Sequence, residues 1–431
     1  MPIARHVALT VALVAPTAVL ANSPSLDAVL ETNARIAHAA YEDSLITARR
    51  LESRIEALVE NPSEKTLTAA KAAWLEAREP YGQTEVYRFR GGPIDALRDD
   101  GTMGAEGDGP EGRINAWPLG EALIDYTAER VDGDAGPESP ETVADVGDNL
   151  IADETFEISV DKLASMNELG GDERNVTTGY HAIEFLLWGQ DLNADGKGYG
   201  SRDATAGSRP YTDYVTGEGC THGHCDRRGA YLNAVAGLLV ADLERVTNAW
   251  APGEGVHYQA FVAGGESALR KILEGMGRLS YGELAGERML IALAANSQED
   301  EHSCFADNTH RDILLNAKGV QNSYQGTYVR SDGRVVSGPG VADYIRSEHP
   351  ELAARLDEAL RKTLVDISRM DGVAKAGAPF DVQIQSSEYQ PLVRDVIVDL
   401  RDQTHYIERL MAELDLDADL RQDTEENLEQ L

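Results

Sequence analysis

The chain has 431 residues, 42% of them hydrophobic and only 6% aromatic, which is enough apolar side chain for more than one ordinary core. Its 39 Lys and Arg face 74 Asp and Glu, a formal charge of −35 that repels phosphate backbones and anionic headgroups, so nucleic acid is excluded as a partner. The same acidity reads either as a solvated surface suited to a salty medium or as a surface that gathers cations.

Residues 1–21, MPIARHVALTVALVAPTAVLA, place one base at Arg5 before an apolar run from Val7 to Leu20 that ends on Ala21. This is the pattern of a secretory signal peptide cut after Ala21. The run of roughly 14 residues contains Pro16 and falls short of the about 20 needed to span a bilayer. No later segment is longer, so no transmembrane segment is expected in the mature chain. The expected location is beyond the inner membrane, in the periplasm or associated with the outer membrane, where disulfides persist.

From Leu26 to Val59 apolar residues recur every three or four positions (Leu30, Ile36, Tyr41, Leu45, Leu51, Ile55, Leu58), the stripe of one long helix. Asn61-Pro62-Ser63 turns the chain, and Ser63 caps a second helix with Lys65 where a capping-box acid would stand. That helix runs toward Tyr87 and should kink or restart at Pro80. The Gly/Asp-rich stretch 90–112 reads as a long connection. Shorter helices follow at LGEALIDYTAER, SPETVADVGDNL and LASMNEL, and then at TTGYHAIEFLLW. A loop over 191–226 leads to helices at Arg227–Trp250, Tyr258–Met276, Tyr281–Gln298, His310–Ala317, Val341–Ser347, Glu351–Met370 and Tyr389–Leu414. SDGRVVSG, near Val335, reads as a small hairpin. The fold class is all-α. Each half opens on a long helix, breaks at Pro or Gly, and runs into a polar cluster, so two helical bundles related by duplication are expected. The division is 22–200 for an N-terminal bundle, 201–226 for a Cys/His loop, 227–414 for a C-terminal bundle and 415–431 for an acidic tail.

Within TTGYHAIEFLLW, His181 and Glu184 stand three residues apart, so one helix face can present an imidazole and a carboxylate to a common ion. Their neighbours Ile183, Phe185, Leu186, Leu187 and Trp188 are apolar all round, which buries the helix. An ionised Glu184 there needs a cation, a metal or a proton. Gly179 leaves room for a close backbone approach. Two ligands are too few for a metal. The further candidates are Glu76 and Glu79 in WLEAREPYGQTE, Glu121 in PLGEALIDY, and Asp300, Glu301 and His302 in SQEDEHSCFADNTHRD, with Arg78 as counter-ion to a buried glutamate. HExxH and HxxEH are absent, and an oxygen-rich set with one imidazole suits iron or manganese better than catalytic zinc.

Cys220-Thr-His-Gly-His-Cys225 reads as a small disulfide loop or as a soft-metal site with His222 and His224, leaving Cys304 over. Asp191-x-Asn193-x-Asp195-Gly196 opens like a calcium loop, but Arg202 stands where the bidentate glutamate would be, so an Asp/Asn/Gly turn is the expectation.

GYHAIE at 179–184 matches the GxHxxE motif of the imelysin-like proteins. AWLEAREPYGQTEVYRF, RPYTDY at 209–214, SQEDEHSCFADNTHRD at 297–312 and APFDVQI around Phe380 are similar to segments of the same family. The resemblance covers most of the chain after residue 21 and is strongest to the iron-regulated protein A branch. It implies two bundle-like all-α domains with the GxHxxE site in a groove between them. It also implies an envelope protein that binds or handles iron, with a metal ion and envelope iron-uptake components as partners. The family's founding member was described as a metallopeptidase, so a peptidase using zinc at the same residues is the alternative, and a non-catalytic envelope binding protein is a third. The ligand set expected is His181, Glu184, Glu76, Glu121 and His302.

Overall fold

The computed structural model describes residues 23–127, 149–196, 200–416 and 420–421. The expected signal peptide, most of the helix expected at SPETVADVGDNL and most of the acidic tail lie outside the described residues. Apart from a two-stranded hairpin, Thr327–Val329 with Val335–Ser337, and one isolated bridge, the described residues are helical or irregular. The all-α class is what the alanine- and leucine-rich periodicity dictates.

Helix α1 spans Leu26–Glu60, starts on Ser25, whose side chain accepts the Ala28 amide, and buries its apolar stripe from Val29 to Leu58. Helix α2 spans Glu64–Tyr81, and its capping box is closed by Thr66 rather than by an acid: Ser63 accepts from the Thr66 amide while Thr66 accepts from the Ser63 amide. Pro80 lies in the last turn, and after Tyr81 the chain tightens into a 3-10 turn, Gly82–Tyr87. The stretch expected as one long connection folds into short turns, Pro93–Ala96 and Glu111–Asn115.

Helix α3 is Gly179–Trp188, and α4 is Cys225–Ala249. The helix expected over Tyr258–Met276 is two, Val256–Val262 and α5 at Gly265–Arg278, because Gly264-Gly265 interrupts it. The next expected helix is a wider, π-type coil at Leu279–Ile291 and a last turn, Ala292–Ala295, closed by left-handed Asn296. Helices α6 (Thr309–Gln325), α7 (Pro350–Lys375) and α8 (Gln390–Glu413) follow, with short helices at Val160–Met166, Val341–Ile345 and Phe380–Gln385.

Helix α1 packs along α2 and α4, and α3 fits between α2 and α4. A second group is formed by α5, the π-type coil, α6, α7 and α8. Helix α4, expected to open the C-terminal unit, packs on α1 and α3 with the N-terminal helices. One continuous apolar core runs through both groups. They meet where α6 lies on the Gly82–Tyr87 turn, and a Cβ on Gly82 would stand 2.7 Å from that of Leu315, so the contact requires glycine. Of the candidate residues, His181, Glu184 and His302 gather at this seam.

Candidate functional site

All ten residues of α3 are buried. Its first residue, Gly179, has φ 82°, and a Cβ there would stand 2.5 Å from the carbonyl oxygen of Ile114. The close approach expected at this glycine is therefore present, and it locks the start of the helix to the Glu111–Asn115 turn.

His181 and Glu184 face each other rather than a shared space. Nδ1 of His181 lies 2.9 Å from Glu184 Oε2, and Glu184 Oε1 accepts the Ala306 amide at 3.0 Å. Both carboxylate oxygens are thus engaged by protein, while His181 Nε2 is buried without a hydrogen-bond partner. Burial, then His302 and Arg78, hold the His181 imidazole well below the usual histidine range. Burial, then Asp312, lifts the Glu184 carboxyl well above the usual carboxylate range. Both shifts favour the uncharged forms, in which a Glu184 hydroxyl can donate to Nδ1. The companion that this buried acid requires is in the first instance a proton, and no arginine clasps it.

His302 completes an imidazole pair. Its ring centroid is 4.6 Å from that of His181, edge to face, and burial, then Arg288 and Arg78, keep it neutral too. Its Nδ1 lies 3.0 Å from Asp312 Oδ2, and its Nε2 lies 3.4 Å from the Asn115 amide nitrogen. Asp312 also accepts from Arg78 at 2.9 Å and from Ser303 Oγ at 2.5 Å, and Arg78 donates to Asn115 Oδ1 at 2.6 Å. The partner of Arg78 is thus Asp312 and not a glutamate. Farther along, Arg288 from the π-type coil reaches Glu85 at 2.5 Å; although burial opposes ionisation, Arg288 draws the Glu85 carboxyl down to about 2. Asp312, Asn115, Ser303 and Glu85 were missed by sequence reasoning. Three of them stand on short turns or loops whose pairing only the fold reveals.

A pocket of about 10 Å³, space for about one water or ion, is lined by His181, His302, Trp117, Glu301 and Cys304 among others. Trp117 stands edge-on to His302, centroids 5.1 Å apart, and also walls a larger cleft of about 670 Å³ with Arg88, Glu111, Glu283 and Asp300. The imidazole pair therefore lies one indole away from an open cleft.

The other expected ligands scatter. Glu76 lies two residues before Arg78, roughly opposite it on α2. It is half exposed and paired with Arg50 at 2.6 Å. Glu79 pairs with Arg311 at 2.7 Å. Glu121 is buried and accepts the Gln190 amide at 2.5 Å. Glu301 is 3% exposed, with Oε1 unpartnered. Among the described residues, His181, Glu184 and His302 do not bring three ligand atoms within 4.8 Å of one another. What the site offers a metal is one buried, unpartnered imidazole nitrogen whose ring is oriented by a carboxyl group. Cys220 and Cys225 form a disulfide, Cys304 is free and buried, and His222 bonds Asp213 at 2.5 Å, so no soft-metal site forms in the loop.

The fold and the site together define a class of all-helical bundle protein built around a buried imidazole–carboxyl pair at the seam of two helix groups. The Imelysin family model matches residues 37–407, and the chain belongs to the imelysin family. It is 22% identical over 312 residues to iron-regulated protein A of Synechococcus elongatus, a match over 72% of this chain and 66%, just under two thirds, of that relative's length. In fold it is similar to a crystal structure described as an iron-regulated protein A precursor from Parabacteroides distasonis, with TM-score 0.62 and 15% identity over 90% of this chain and 96% of that one. It is similar as well to an imelysin-like protein from Psychrobacter arcticum, with TM-score 0.57 and 14% identity over 92% and 99% of the two chains. No helix among the described residues is long and apolar enough to cross a membrane.

Proposed function

We propose that this chain is a cell-envelope protein that binds iron at His181, with Glu184 as the group that sets the imidazole's tautomer, and that it serves iron uptake or homeostasis. The observation that carries the reading is His181 Nε2, buried and unpartnered beside a pocket of ion size. A ligating imidazole must present a lone pair on one nitrogen while its other N–H is held by an oriented acceptor. Glu184 is placed to be that acceptor. Before an ion binds, the carboxyl proton rests on Glu184 and Nε2 keeps its hydrogen. Were an ion to take Nε2, that hydrogen would leave, the carboxyl proton would pass to Nδ1 and Glu184 would become the counter-anion, so one proton would be released per ion. The remaining coordination positions would be filled by water or by groups delivered with the ion through the neighbouring cleft. The iron-related names of the relatives and the envelope signal read in residues 1–21 support the same assignment.

The test is iron content and calorimetric titration of the purified mature chain against His181→Ala and Glu184→Gln. Binding of one iron, lost in the first and weakened in the second, is expected; equal iron uptake by all three overturns the reading. The peptidase alternative draws on the two neighbouring imidazoles, and chelator-sensitive cleavage of an unfolded protein, abolished by Glu184→Gln, would favour it. Against it stand the burial of both rings and the engagement of both Glu184 oxygens by His181 and the Ala306 amide.

A further inference from the structure

We propose that Asp191, Asp307 and Asp381 form a second cation site, separate from the imidazole pair, that takes a hard divalent ion of the calcium class and braces the loop carrying His302. One carboxylate oxygen from each lies within 4.8 Å of the other two. The acids come from three segments: Asp191 three residues past α3, Asp307 in the loop before α6, and Asp381 in the short helix Phe380–Gln385. Asp307 directly follows Ala306, whose amide holds Glu184. An ion here would pin that amide and the end of α3 to the C-terminal helices.

Asp381 is 3% exposed and its Oδ1 has no hydrogen-bond partner; Glu301, also 3% exposed, leaves Oε1 without one and stands close enough for all three aspartates to act on it. A buried carboxylate oxygen with no donor must be protonated or meet a cation. Among the described residues, no side-chain cation bonds these two oxygens. Arg202, the guanidinium beside the group, spends Nη1 on the backbone carbonyl of Asp381 at 2.9 Å and Nη2 on that of Asn296. Gln298 gives the Asp191 carboxylate only a long bond of 3.4 Å, because its nearer acceptor is the Asp191 carbonyl at 2.7 Å. Burial, then the neighbouring acids, push Asp191 up to about 9 and Asp307 up to about 7, as expected of acids crowded together.

The ligand chemistry selects the ion. All the donors are oxygen, with no imidazole or thiol, which favours a hard cation. Calcium takes about six to eight oxygen ligands in flexible geometry and suits three carboxylates drawn from separate segments, whereas magnesium keeps most of its waters and is bound through only one or two carboxylates. The Asp191 motif, an incomplete calcium loop in sequence, thus finds its missing acids across the fold instead of at residue 202.

The experiment uses the mature chain stripped with chelator, then titrated with calcium chloride to about 10 mM, above the about 10⁻⁴–10⁻³ M dissociation constants of extracellular calcium modules. One calcium per chain and a saturable rise of several degrees in melting temperature are expected. Asp381→Asn and Asp191→Asn should each abolish the rise while melting in chelator at or above the wild-type temperature, since each removes a repelled carboxylate. His181→Ala should keep the calcium response, so this inference and the iron reading fail separately. The proposal is overturned by a wild type indifferent to calcium, by an undiminished response in Asp381→Asn, by both asparagine variants melting well below wild type in chelator, or by a response to ferric ion alone.

Discussion

Replacing Asp312 with asparagine should destabilise the chain by about 3 kcal/mol, the lower end of the about 3–5 kcal/mol lost when one partner of a buried ion pair is removed. Asp312 accepts from Arg78 Nε at 3.2 Å and Nη2 at 2.9 Å, from His302 at 3.0 Å and from Ser303 at 2.5 Å. The side chains of Asp312, Arg78 and His302 are 0% exposed, so water cannot replace the lost charge. The lower end applies because Arg78 keeps Asn115 at 2.6 Å. Glu76→Gln is the matched control: its pair with Arg50 is about half exposed, and its loss should cost no more than about 1 kcal/mol. Urea unfolding, reading midpoint and slope together, measures both. The double variant Arg78→Met/Asp312→Leu should recover much of the loss, because an apolar pair leaves no charge stranded. If Asp312→Asn costs no more than Glu76→Gln, the ionic bolt between α2 and α6 does not hold the seam, and the reasoning fails.

Glu184→Gln should weaken iron binding by about 10–100-fold, the usual cost of disturbing the group behind a ligating histidine, and should abolish the proton release seen by calorimetry in buffers of different ionisation enthalpy. Gly179→Ala should lower stability by more than the about 1–2 kcal/mol of a left-handed alanine, because its Cβ would also strike the Ile114 carbonyl at 2.5 Å; thermal melting reads the loss. Reducing Cys220–Cys225, or changing both to serine, should cost about 2 kcal/mol by loop-closure entropy for so short a loop, read as a lower urea midpoint. In chelator, the stability of the wild type should fall as pH rises from about 6.5 to 9. The folded chain holds a proton on Asp307 until about pH 7 and on Asp191 until about pH 9, both pushed up by burial and acidic neighbours, that the unfolded chain has already lost. Glu301, Glu299, Asp203 and Asp381 press on this cluster and Arg202 stands beside it. Glu111, raised by burial to about 7, adds a slope of the same sign, so the flattening produced by Asp191→Asn isolates the cluster. The buried histidines act oppositely but only below their unfolded value of about 6.5.

The helical class was legible because a 3.6-residue apolar stripe is a local signal, and α1 and α4 differ from their expected bounds by only a few residues. The burial of α3 was legible for the same reason: a helix apolar on every side has no face for water. What Glu184 does was not legible. A three-residue spacing allows two side chains to face a common ion or to face each other, and the backbone amide of Ala306, more than a hundred residues away, tips it to the second. Glu76 shows the same limit from the other side. An acid in a polar cluster beside Arg78 has the right chemistry, but the helix rotation between them sends one to solvent and the other to the core. Asp191 was visible as an incomplete loop, while Asp307 and Asp381, distant in sequence, carried no local signal at all.

The most direct measurement is iron-edge X-ray absorption on the stoichiometrically loaded mature chain, beside a parallel iron titration of His181→Ala. An imidazole nitrogen in the iron's first coordination shell, with one ion per chain bound by wild type and none at comparable concentration by the variant, is the expected result. An all-oxygen shell, or undiminished iron binding without the His181 side chain, contradicts the account.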